Sequence, residues 1–388
     1  MKKLNFCLFV LSLIPNAYVI KGALPFDLTL LLYVLLYALV IFKIMIKQDV
    51  YIASKIDFLF YIWILIMLVG VLYSPYMLPA IFKTSKFIFL ALSLVFFTRF
   101  FINDLTDMQL FLKYFLVNSV LTGYLVLLDF FYSGMDSTRY QAFGEVVPIP
   151  LAMLGAVTLL ISTIMYYFNV INVRYFIISA FPSISLLTIA GSKGPVVGLL
   201  ATILLMLPLF LKKLNLKFTI IVASAAFFLT RIEFVSDSLE ELIKRFTRTE
   251  SDMSTLIRLD IYKNSIQMFK ENPLFGNGTF ASYPTYPHNF FLEVLSENGL
   301  ILFSVTSVLL ILLGYKYLNF IIRKTYNYIE TVILSLIIIS FVSLMFSFSY
   351  VDHKYFFLGL GLLIVYERIK NKNYNIDKIG LVNKKGKY

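Results

Sequence analysis

Charge, cysteine and histidine are all scarce in this sequence. Of 388 residues only 14% are Asp, Glu, Lys or Arg, and there are one cysteine and two histidines. A lone Cys7 can form no internal disulfide and no cysteine-based metal site; its expected role is packing or facing lipid. No glycine-rich phosphate loop, internal repeat or low-complexity segment occurs, so cytosolic ATP or nucleotide-sugar chemistry has no domain to house it here. Carboxylate and histidine clusters of the kind that hold divalent cations are also missing, and no cofactor is expected. What fills the sequence is apolar: 60% hydrophobic residues and a mean hydropathy of +0.84, too much for a water-soluble domain.

Apolar runs of about 20 residues recur along the chain, each long enough to cross a bilayer as a helix. The pattern predicts an all-α polytopic membrane protein, one integral-membrane domain over 1–388. It has twelve spans near 5–20, 25–43, 57–77, 84–103, 111–132, 148–168, 174–191, 195–211, 217–231, 298–317, 329–348 and 354–367. The first run lacks a small-residue cleavage site and is expected to be a span, not a cleaved signal. With the N-terminus inside, 21 of the 34 basic residues fall on inside segments, as the positive-inside rule asks. The short outside loops hold Lys21, Lys83, Lys86, Arg139, Lys193 and Lys354. Both ends are then cytoplasmic, and 368–388 is a basic cytoplasmic tail facing anionic lipid. The net charge of +12 is thereby explained by topology, and nucleic acid is excluded as a partner.

Between spans nine and ten lies a long polar segment, 231–290, expected to be extracytoplasmic and helical. Leu239, Leu242, Ile243 and Phe246 recur at helical spacing, and a second helix is expected from about Met253 to Lys270. Asn272-Pro273 ends it, and Gly276-Asn277-Gly278 makes a turn.

This topology puts three cations and one histidine on the outside: Arg139, Lys193, Arg258 and His288. Cations at a membrane edge pair with something anionic, and a lipid diphosphate would need several of them. Histidine alone titrates, unperturbed, near neutral pH. Each residue also has a plain structural role open to it. Arg139 can touch lipid headgroups, Lys193 can snorkel from a helix end, Arg258 can pair with Asp252, Asp260 or Glu250, and His288 can cap a helix. Asn289 is open to orienting a sugar or capping the helix that follows, with that helix's N–H groups as further anion donors. Tyr283 and Tyr286 are open to stacking on sugar rings or to sitting at the interface. Glu293 and Glu297, four residues apart, resemble one solvated helix face. His353 is expected to be structural or interfacial.

The run Arg258…Asn272-Pro273-Leu274-Phe275-Gly276-Asn277-Gly278…Tyr286-Pro287-His288-Asn289…Glu297-Asn298-Gly299 resembles the signature region of the O-antigen polymerase and O-antigen ligase superfamily. The His288-Asn289…Gly299 spacing, Arg139 with Gly144 and Pro148, and Ser192-Lys193-Gly194 are similar to family elements. Lysine stands at the last where the family usually has arginine, which removes bidentate phosphate recognition there. The resemblance implies a GT-C-like glycosyltransferase architecture in the bacterial inner membrane. It also implies metal-independent, inverting transfer from undecaprenyl-diphosphate-linked glycans on the outer face. Polymerases pass the chain to the next lipid-linked repeat unit, ligases to lipid A–core. On it, His288 is the catalytic base, Arg258, Arg139 and Lys193 hold the diphosphate, and Asn289, Tyr286 and Tyr283 meet the glycan. Membrane lipids and a chain-length regulator protein are the other implied partners. A polymerase is the first expectation, a ligase the second. A flippase is the contrasting class, disfavoured by the lack of paired halves and of charges within the spans.

Overall fold

The computed structural model describes residues 2–13, 28–46, 54–133, 148–211, 240, 253–323 and 326–385. They form an all-helical bundle, with no strand among the described residues. In order, the helices are α1 (Lys2–Leu13), α2 (Leu28–Met45), α3 (Lys55–Leu72), α4 (Met77–Phe101, with a π-helical turn at Phe87–Ala91), α5 (Leu105–Ser133) and α6 (Pro148–Tyr167). There follow α7 (Val173–Ile189), α8 (Lys193–Leu211), α9 (Met253–Glu271), α10 (Phe290–Arg323), α11 (Tyr328–Leu344) and α12 (Lys354–Lys385).

Five of these, α2, α4, α5, α6 and α10, are long and apolar enough to cross a membrane, and five shorter apolar helices accompany them. In lipid a helix is the one open segment that satisfies its own backbone groups, which is why apolar runs of this length fold this way. Large apolar side chains such as Leu72, Phe82, Leu204 and Ile311 stay exposed on the outside of the bundle, as a lipid-facing surface requires. The predicted ninth span, 217–231, and the predicted helix around 239–246 lie outside the described residues. The helix expected from Met253 is α9.

One expectation fails. The fourth span begins not at 84 but at Met77, so Lys83 and Lys86 stand on a helix, not in a loop. Lys83 is 5% exposed. An aromatic cluster explains why the helix continues: Phe87 packs on Trp63 of α3 and on Tyr350, with ring centroids 5.3 and 5.7 Å apart.

The bundle has two polar ends. At one, Arg99 makes a bidentate pair with Asp57 at 2.5 and 2.6 Å, and Asp57 closes a capping box with Ser54 at the start of α3. Lys316 pairs there with Glu367, and Arg323 with Glu330 at 3.5 Å. At the other end stand Lys83, Lys86, Lys193, Arg258, His288 and the connections 272–289 and 345–353.

Candidate active site

The signature segment is built around a break in a helix. Within α10, Gly299 has φ 62° and ψ −159°, outside helical geometry. A Cβ there would lie 2.4 Å from the carbonyl oxygen of Leu274, so only glycine fits. The turn after α9 fills the break with its own backbone. Asn277 and Gly278 donate to the carbonyls of Ser296 and Glu297 at 3.1 and 2.9 Å. Leu300 and Ile301 donate back to Pro273 and Leu274 at 2.9 and 3.3 Å. Thr279 then binds α3, donating its N–H to Gly70 and its hydroxyl to Met67 at 3.1 and 2.9 Å. The turn thus anchors the short helix that follows His288.

That helix starts at Phe290. Asn289 accepts from Phe291 and Leu292 N–H at 3.1 Å through Oδ1, and donates to Met345 through Nδ2 at 3.3 Å. The side chain is committed to the cap, one of the two roles the sequence leaves open, and it occupies the N–H groups expected to serve an anion.

His288, just before the cap, is held at φ 51°, a conformation costing about 1 kcal/mol or more in a non-glycine residue. Its ring lies 4.4 Å from that of Tyr286, centroid to centroid, and its Nδ1 is buried without a hydrogen-bond partner. Burial first, and the Arg258 guanidinium second, lower its pKa to about 4, so the imidazole is neutral at pH 7. Burial, with Asp352 and Glu293 adding to it, raises the Tyr286 phenol to about 12.

The cations approach one short segment. Arg258 donates from Nη1 to the Phe346 carbonyl at 2.8 Å. Gly194, the residue after Lys193, packs so closely on Phe346 and Ser347 that a Cβ would meet Ser347 Oγ at 2.5 Å. Arg258, Asn289 and the start of α8 therefore meet on residues 345–347, and Arg258 is near enough to His288 to shift it. Arg139 lies outside the described residues.

A cavity of about 450 Å³ opens between α4, the 280–286 loop and the 349–352 loop, within the usual range for small-molecule sites; Tyr286, the ring neighbour of His288, lines it, and His288 itself does not. Tyr283, Tyr286 and Phe82 give it aromatic walls; Lys86, paired with Asp352, is also in its lining. Lys83 lines it too, and leads to the second correction. Glu293 and Glu297 are not on a solvated face: both are 0% exposed, and both lie 2.6 Å from Lys83 Nζ. Phe280 and Tyr350 cover the ammonium with ring centroids at 4.9 Å. Lys83, Lys86, Asp352 and the two glutamates are the site residues sequence reasoning misses. The available signal was a lysine inside an apolar run and two glutamates following the His-Asn pair. His353, by contrast, is buried and structural as expected, packed edge-on against Phe348.

Such a site offers a neutral base, a guanidinium and a half-aromatic cavity at one end of an apolar bundle. Among the described residues no cluster of three His, Cys, Asp or Glu side chains is arranged to hold a metal ion. A search of curated proteins finds no match. A family model described as O-antigen ligase matches residues 176–307, the stretch from within α7 to within α10 that contains Lys193, Arg258, His288 and Gly299. Residues 176–307 are thus similar to the O-antigen ligase family, and with the apolar helices they indicate an integral membrane protein.

Proposed function

We propose that this protein polymerises lipid-linked oligosaccharide repeat units on the outer face of the bacterial inner membrane, with both termini in the cytoplasm. The observation that carries this is the neutral imidazole of His288 beside Arg258, within the family-matched segment and next to a cavity of saccharide size.

In this reading the donor is a glycan on undecaprenyl diphosphate. An acceptor sugar hydroxyl attacks the anomeric carbon, the bond to the diphosphate oxygen breaks, and configuration inverts. His288 takes the hydroxyl proton. Arg258, Lys193 and Arg139 hold the charge that collects on the departing diphosphate. Tyr286 and Tyr283 meet the acceptor sugar in the cavity. Arg258 lowers the basicity of His288 in the free protein; a bound diphosphate offsets that cation and makes the imidazole a better base when the donor is in place. A chain-length regulator is the expected protein partner.

The family description favours a second reading, in which the acceptor is lipid A–core and the protein is a ligase. A glycan ladder from cells deleted for the gene and complemented with wild type or His288→Ala separates them. Loss of everything beyond one repeat unit means a polymerase. Long chains left on the carrier lipid, with none attached at the surface, mean a ligase. An unchanged ladder with His288→Ala removes both site assignments.

A further inference from the structure

The buried cluster beneath the cavity does not balance in charge. Lys83 brings one positive charge to two carboxylates, each 2.6 Å from Nζ, and all three side chains are within a few percent of full burial. Lys86, the next cation on α4, is engaged with Asp352. Nor are the carboxylates equivalent. Glu293 accepts from Lys83, from the Ser349 hydroxyl and from the Tyr350 N–H. Glu297 accepts from Lys83 through Oε1 and feels the Phe280 backbone N–H, but its Oε2 is buried without a hydrogen bond of normal geometry. An ionised oxygen in that position is poorly tolerated. Two carboxylates crowded onto one cation relieve their repulsion when one takes a proton.

We propose that Lys83, Glu293 and Glu297 form a clamp holding one shared proton, Glu293 being the carboxylate and Glu297 the carboxylic acid, and that the clamp positions His288. It ties α4 to the start of α10 and to the 345–353 connection. Lys83 is on α4, Glu293 stands five residues after His288, and Ser349 and Tyr350 belong to the connection whose start receives Arg258 and Asn289. The other ionisable groups around it are Tyr350, whose ring covers Lys83, and Tyr286, Lys86 and Asp352 across the cavity. From α3, the uncharged Trp63 and Met67 close on Tyr350. The positioning half rests on reading His288 as the base; the proton half does not.

The test uses the purified full chain. Wild type shows the infrared carbonyl band of a buried protonated carboxylic acid, and Glu297→Gln lacks it. Lys83→Met melts about 10 °C lower, because it leaves a buried carboxylate unmatched, whereas Glu297→Gln, which keeps the Lys83–Glu293 pair, shifts far less. Where Glu293→Gln folds, its turnover on lipid-linked repeat units falls about 100-fold, as expected for a base displaced by about 1 Å, with donor KM retained. Absence of the band, or its persistence in Glu297→Gln, overturns the shared proton. If Glu293→Gln does not fold, the infrared comparison of wild type and Glu297→Gln still decides. Full turnover in His288→Ala overturns the positioning half while leaving the band in place.

Discussion

The two polar ends of the bundle use charge in opposite ways. At the Arg99 end three cations pair with a carboxylate, Arg99 with Asp57, Lys316 with Glu367 and Arg323 with Glu330, while Lys43 and Arg368 donate to backbone carbonyls. The Arg99–Asp57 pair is bidentate and tied into a helix cap. At the His288 end two carboxylates share one lysine, a carboxylate oxygen and the His288 Nδ1 are buried without partners, and Phe280, His288 and Phe348 sit at positive φ. Strain and unmatched polarity concentrate where a protein acts; one-to-one pairing concentrates where it only has to hold together. On the proposed function, the contrast gives anchoring to one end and chemistry to the other.

The largest expected effect is at the His288 end. His288→Ala should lower turnover on lipid-linked repeat units by about 100-fold or more, the usual contribution of a general base, with little change in melting temperature. At the opposite end Arg99→Ala should do the reverse. Removing one partner of a buried bidentate pair costs about 3–5 kcal/mol, so melting drops sharply while turnover per folded molecule stays near wild type. Comparable loss of turnover in both variants would erase the distinction between the ends.

Gly299→Ala tests the kink that aims the His288 segment. The added methyl meets the Leu274 carbonyl, and the positive φ alone costs about 1–3 kcal/mol. Both melting temperature and turnover should fall, because the turn at 272–278 supports the site as well as the fold.

A subtler effect appears with pH. His288 titrates near 4 folded and near 6.5 unfolded, so folding favours its neutral form. The stability this contributes is complete above pH 6.5 and is lost as pH falls through about 4. The acid limb of kcat/KM should accordingly lie near 4. Arg258→Ala should move the limb upward, yet short of 6.5, since burial is the larger cause. A limb that stays fixed in Arg258→Ala would separate the two residues. Smallest of all is Lys263→Ala: its pair with Asp260 is exposed on both sides, and such pairs contribute little, so neither melting nor turnover should change.

Much of this is legible in the sequence, for a physical reason. A span is a local property: an apolar run must satisfy its own backbone in lipid, and five of the helices are long and apolar enough to carry that signature. The turn at Gly276–Gly278 and the cap at Asn289 are equally local, and with Gly299 their spacing carries the family resemblance; the break at Gly299 itself depends on the distant 273–278 backbone. The buried cluster is not local. Lys83 and Glu293 are 210 residues apart, and a glutamate pair four residues apart reads the same on a wet face as in a core. Burial of a charge is decided by what packs over it, here Tyr350 and Phe280, which no window along the chain reveals. The same holds for the meeting of Arg258 with the start of α8: each is an ordinary helical cation until residues 345–347 bring them together.

The most direct measurement is turnover of purified His288→Ala on lipid-linked repeat units, set against wild type and Arg99→Ala at matched folded fractions. If chemistry resides at the His288 end, His288→Ala retains about 1% of turnover or less with its melting temperature intact, and Arg99→Ala retains nearly all. Wild-type turnover in His288→Ala would place the reacting base elsewhere and contradict the assignment.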